Sequence, residues 1–188
     1  MKSVIRVYWQ AARSYKWLAF FILLTLSFNQ IIDLWAPLYY KKFFDTLANS
    51  DRTATNTQTL IGIIAFIFFL YFMQWVGYRW ATFASSFFQA RMMTDLKQNA
   101  FDYLIHHSHS FFINNFTGSL VQRINRLSRA FERFTDELFW SLWPLTIRVV
   151  GSITILWWVN HFIAMALMGW VFVFLIVNLF FTKWKMKY

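Results

Sequence analysis

Hydrophobic and polar positions divide the chain into four nearly uncharged stretches and one long charged insertion. The apolar stretches are residues 17–38, 60–78, 142–160 and 162–181. A helix that crosses a hydrocarbon layer about 30 Å thick needs about 20 mostly apolar residues. Each stretch therefore predicts one spanning helix, and no β pattern competes with them. The first stretch is too long for a cleaved leader, and no small-residue cleavage site follows it. The connection between the last two stretches is only a residue or two long, around Asn160 and His161, which predicts a tight hairpin.

The insertion, residues 79–141, is polar but strongly patterned. No proline occurs from Leu60 to His107, and Met93, Leu96, Ala100, Tyr103 and His107 recur at helical spacing. The second span is therefore predicted to run on beyond the membrane. About 48 residues at 1.5 Å each reach roughly 70 Å, leaving some 40 Å outside the hydrocarbon. The return limb carries Leu120, Ile124, Leu127, Phe131, Phe134, Leu138, Leu142, Leu145 and Val149 at spacings of three and four. That heptad stripe continues without a break into the third span. Arg129 with Glu132, and Arg133 with Glu137, can pair across one turn, and Pro144 is placed to kink the helix. Between the limbs, Asn114, Asn115 and Gly118 break the helices, while Ser119 and Gln122 form a capping box. Phe111, Phe112 and Ile113 make a short apolar cluster at this tip, and aromatics so far from lipid ask for a protein partner. Before the first span, residues 1–16 alternate polar Ser3, Arg6, Gln10 and Arg13 with apolar positions, as an interfacial elbow helix would.

Composition and charge extend this picture. The 188 residues are 59% hydrophobic and 23% aromatic, beyond the 45–50% apolar content usual for soluble domains. The fold class predicted is an all-α membrane protein with four long transmembrane helices, and a lipid bilayer is the first partner. The net charge of +10 is assigned to the flanks of spans, not to nucleic acid. Basic residues crowd residues 1–16, 79–141 and 183–187, which places both termini and the insertion in the cytoplasm, against a minority signal from Lys41 and Lys42. The absence of cysteine removes disulfides and thiolate metal sites.

The order of parts resembles the transmembrane domain of an ABC exporter, the type-1 transmembrane fold. An elbow helix, a first span, a prolonged second span, a short tip, a prolonged third span, a tight outer turn and a fourth span follow in that order. The local match is Phe111, Phe112, Asn115, Thr117, Gly118, Ser119, Leu120 and Arg123, with Leu104 and His107 upstream. The resemblance implies that His109, Ser110, Phe111, Phe112, Ile113 and Asn114 form a coupling helix that docks on a nucleotide-binding domain. Gly118 would be the hinge of the exit. It also implies a second transmembrane subunit, a bacterial inner membrane, and ATP and Mg bound by the missing domain. An acidic residue usual in the family four places after Arg123 is here Leu127. Six spans per half are expected, whereas this chain stops after four, as a truncated reading frame, an excised fragment or one part of a separately encoded pair would. No G-x-x-x-x-G-K-[ST] phosphate loop occurs in it. The chain is thus expected to hold no cofactor and not to hydrolyse ATP on its own.

Within the spans, Asp33 and Arg148 are possible cavity-lining residues, because ionisable groups at membrane depth face a bundle interior or water, and polar Gln74 is a weaker candidate of the same kind. An ion pair between Asp33 and Arg148 is the competing, structural role. His106, His107 and His109 are expected to be polar helix-end surface, since adjacent histidines on a helix point apart. His161, at an outer turn, has no partner at membrane depth for a haem. Trp157, Trp158 and Trp170 suit interfacial belts and lipid-facing surface. A stand-alone four-span scaffold or regulatory protein is the alternative function, and a membrane enzyme is third.

Overall fold

The computed structural model describes residues 13–49, 54–107, 111 and 117–185. Among them every regular element is a helix. Helix α1 runs Lys16–Asn49, α2 runs Ala54–Ile105 and α3 runs Thr117–Asp136. A π-helical turn, Glu137–Leu142, joins α3 to α4, Trp143–Val159, and α5 runs His161–Lys185. Among the described residues four helices are long and apolar enough to cross a membrane: Lys16–Ala48, Thr57–Ile105, Gly118–Val159 and His161–Lys185.

The described residues of both limbs of the insertion are helical. α2 is one helix of 52 residues, about 78 Å long at 1.5 Å per residue. Its residue choice explains the continuity: no proline interrupts it, and Gly62 and Gly77 are its only glycines. α1 also outlasts its apolar stretch, passing Pro37 without ending. The chain divides into two compact units, Met1–Leu145 and Thr146–Tyr188.

In the first unit α1 and α2 pack antiparallel, as the pairing of Asp33 with Gln74 and of Gln30 with Tyr78 shows. Ile22, Leu26, Ala81, Phe88, Met92, Leu96, Phe131 and Phe139 form its buried core. Phe88 is the centre, 6.2 Å from the Phe131 ring and 5.7 Å from the Phe139 ring. Burying one such aromatic contributes about 1.5–3 kcal/mol. This core carries the return limb onto α2.

Two details differ from the heptad reading. On α2, Leu104 turns inward while Tyr103 stays 69% exposed. On the return limb the buried line runs Leu120, Ile124, Ser128, Phe131, Thr135, Phe139, whereas Phe134, Leu142 and Leu145 are 55%, 50% and 57% exposed. Hydrogen bonding lets the polar members go inside. Ser128 donates to the Ile124 carbonyl, and Thr135 donates to the carbonyls of Phe131 and Glu132. Gln89 of α2 then donates to the Thr135 hydroxyl at 3.2 Å and to Asp136 at 2.6 Å. α3 also starts earlier than the capping box predicts, so Ser119 stands inside the first turn.

In the second unit a single residue, Asn160, separates α4 from α5. Its amide nitrogen donates to the Leu156 carbonyl at 2.7 Å, closing α4. Its side-chain oxygen accepts from the Phe162 and Ile163 amides at 2.9 and 3.4 Å, opening α5. One asparagine thus ends one helix and caps the next. The Trp157 and His161 rings meet across the turn at 4.7 Å.

Candidate functional site

Two regions of the first unit collect the residues singled out by the sequence. The first is the end of the α2–α3 hairpin. Of the six residues expected to form a coupling helix, Phe111 is described, as helical and half-buried. His109, Ser110, Phe112, Ile113 and Asn114 lie outside the described residues, as do residues 1–12 of the elbow segment. The Phe111 ring stands 4.4 Å from His107, and His107 stands 4.8 Å from Tyr103. Three aromatic rings four residues apart in sequence therefore stand in a row from the last turn of α2 past its end. Gly118 is exposed in the first turn of α3.

His106 and His107 each turn a ring nitrogen back on their own helix. His106 Nδ1 lies 2.6 Å from the Asp102 carbonyl, and His107 Nδ1 lies 2.9 Å from the Tyr103 carbonyl. A ring nitrogen beside a carbonyl must carry its proton, so these rings serve as terminal donors where α2 leaves carbonyls unmatched. Among the described residues no three metal-binding side chains come together.

Between the end of α2 and α3 lies a groove of about 910 Å³. Leu96, Leu104, Leu120, Ile124 and Leu127 form its floor, and Asp95, Gln98, Asn99 and Arg123 form its rim. At the α1 end, the Asp95 carboxylate accepts from the Tyr15 hydroxyl and holds that phenol above its usual pKa, with burial adding to the effect and Arg91 opposing it.

The second region is a polar seam between α1 and α2 within the apolar stretches. Gln74 donates to Asp33 at 2.6 Å and, more weakly, to the Asn29 carbonyl at 3.5 Å. One turn away Gln30 donates to the Tyr78 hydroxyl at 3.2 Å. Asn29 is fully buried between them, and neither its amide nitrogen nor its oxygen meets a protein partner. It fits because residue 77 is glycine. A Cβ there would overlap the Asn29 side-chain oxygen. The structure thus joins two of the three candidates, Asp33 and Gln74. Arg148 belongs to the second unit, where it is exposed.

Sequence reasoning missed Asn29, Gln30 and Tyr78. Asn29 and Asp33 are four residues apart, as are Gln74 and Tyr78, so each pair shares a helix face. Two such faces in an otherwise apolar pair of spans were a usable signal. Gln89 and Trp143 gave no comparable signal, because their partners are remote in sequence.

Four apolar helices, two of them prolonged into a packed hairpin, are the arrangement expected of a transporter's membrane domain. Residues 19–188 match the ABC transporter transmembrane region. The chain belongs to that family. No curated protein matches the chain. As an ABC transporter transmembrane region it is an all-α, multi-pass membrane protein, and the long hairpin between its second and third spans is part of that domain rather than a separate module.

Proposed function

We propose that this ABC transporter transmembrane region is the permease part of an ATP-driven exporter. The hairpin of α2 and α3 acts as a lever, and residues 109–114 at its tip dock on a nucleotide-binding domain. That domain, outside this chain, binds ATP and Mg and hydrolyses the nucleotide, and the chain itself is no enzyme. A second transmembrane subunit completes the pathway. The protein lies in the plasma membrane with both termini and the lever in the cytoplasm.

One observation supports this reading most. α2 passes without interruption from its apolar stretch to Ile105, well beyond that stretch, and Phe131 and Phe139 fasten the return limb to it. A rod whose backbone hydrogen bonds are all internal moves as a unit, whereas a loop would absorb the displacement. The aromatic face of Tyr103, His107 and Phe111 leads to the proposed docking element. Asp33 and Gln74 are placed in the translocation path as a joined pair, in which Gln74 orients the carboxylate.

The test is nucleotide turnover by the assembled transporter in liposomes. The double variant Phe111→Ala, Phe112→Ala is expected to lower transport-linked ATP hydrolysis at least about tenfold, equivalent to about 1.4 kcal/mol of lost coupling. Hydrolysis by the nucleotide-binding domain alone is expected to stay unchanged. Full turnover in the double variant would end the coupling assignment.

A further inference from the structure

The π turn between α3 and α4 marks a choice between two helix registers. From Phe131 the buried line advances in steps of four to Thr135, Phe139 and then Trp143. Twelve residues of regular α-helix at about 100° each would carry Trp143 about 120° round from Phe131. The π turn absorbs one residue, about 100°, and returns Trp143 to within about 20° of the same face. The Trp143 amide accordingly bonds five residues back, to the Leu138 carbonyl. Its indole then donates to the Leu23 carbonyl at 3.2 Å and to the Ser27 hydroxyl at 3.0 Å, both on α1.

Pro144 supplies the cause. It has no amide hydrogen, and in an α-helix its ring presses on the carbonyl four residues earlier, at Trp140. A wider turn there relieves that contact.

The sequence also contains the other register. Leu138, Leu142 and Leu145 lie 7, 11 and 14 residues after Phe131, which in unbroken α-helix keeps each within about 40° of it. In this structure Leu142 and Leu145 are half or more exposed, and Leu138 sits at the edge of the core. Two apolar stripes one residue apart therefore compete for the same face of α1 and α2.

We propose that the π turn is a register switch. When it relaxes to α-helix with α3 held in place, Trp143 leaves Leu23 and Ser27, and Leu142 takes its position. The helix beyond turns about its own axis by about 100° and shifts by about 1.5 Å. Gln89, bonded to Thr135 and Asp136, and Phe131 against Phe88 fix the α3 side of the switch. Use of this turn to pass lever motion into a span rests on the function proposed above, whereas the switch itself does not.

The chain has no cysteine, so introduced pairs report cleanly. Three pairs are compared in full-length protein in liposomes without nucleotide, using a short thiosulfonate cross-linker: Ser27→Cys with Trp143→Cys, Ser27→Cys with Leu142→Cys, and Gln89→Cys with Thr135→Cys. Each is made with and without Pro144→Ala. The substitution should shift the ratio of the 27–142 product to the 27–143 product at least about tenfold towards 27–142, while the 89–135 product persists. An unchanged ratio overturns the switch. So does joint loss of the 27–143 and 89–135 products, which would mean that the return limb separates as a whole. Because no ATP is involved, failure here is distinct from failure of the transporter reading.

Discussion

Asn29 and Gly77 are a matched pair, and each makes a demand on the other. The asparagine amide is buried without a protein partner, a state that costs about 1–3 kcal/mol for a neutral polar group. Gly77→Ala would drive a methyl into that amide, and overpacking of this kind costs about 1–3 kcal/mol. Unfolding in detergent titrations should show that loss. Asn29→Ala in the Gly77→Ala background should recover most of it, and the absence of recovery would mean that the clash lies elsewhere. Gln74→Leu removes the 2.6 Å donor to Asp33. It should destabilise by about 1–3 kcal/mol, the cost of leaving a buried polar group without its partner, and the loss should shrink when Asp33→Asn is added. Tyr15 offers a pH test. Its folded pKa is raised above 10.0, chiefly by the hydrogen bond to Asp95. The stabilisation is therefore fully present below about pH 10 and lost as pH rises through the raised value. The stability difference between wild type and Tyr15→Phe should be constant from neutral pH to about 9 and close above 10. A difference that instead disappeared on acidification, with no change above 10, would count against the assignment.

At the scale of elements, continuity and capping are set by few residues. Asn160 alone separates two spanning helices and supplies the acceptor for the first amides of α5. Asn160→Ala should cost about 1 kcal/mol. Amide exchange should rise first at Phe162 and Ile163, and uniform exchange across α5 would refute a local cap. The π turn shows the opposite case, where one residue too many is accommodated instead of excluded. Phe139 and Trp143 reach the core and α1 only because the turn is wide. The heptad stripe places Leu138 and Leu142 there instead. A heptad stripe keeps one winding throughout, whereas the π turn changes the winding next to Pro144.

For the whole molecule, orientation follows from the function proposed and is directly testable. Asn99→Cys on the α2 extension and Asn160→Cys at the α4–α5 turn should react with a membrane-impermeant thiol reagent from opposite sides. Asn99 should be labelled from the cytoplasm, and labelling of both from one face would exclude the topology. Much of this architecture could be read before any coordinates. Four apolar stretches, an unbroken α2 and a one-residue turn are local properties, since length, hydropathy and absence of proline act within a single helix. The sequence by itself thus determined that the chain is a set of long membrane helices with a stiff hairpin. Only the tertiary structure decided which faces of those helices meet. Asp33 found Gln74, Trp143 found Ser27, and Gln89 drew Thr135 inward. Those choices depend on the fit of side chains far apart in sequence, where a hydrogen bond or a missing Cβ outweighs periodicity.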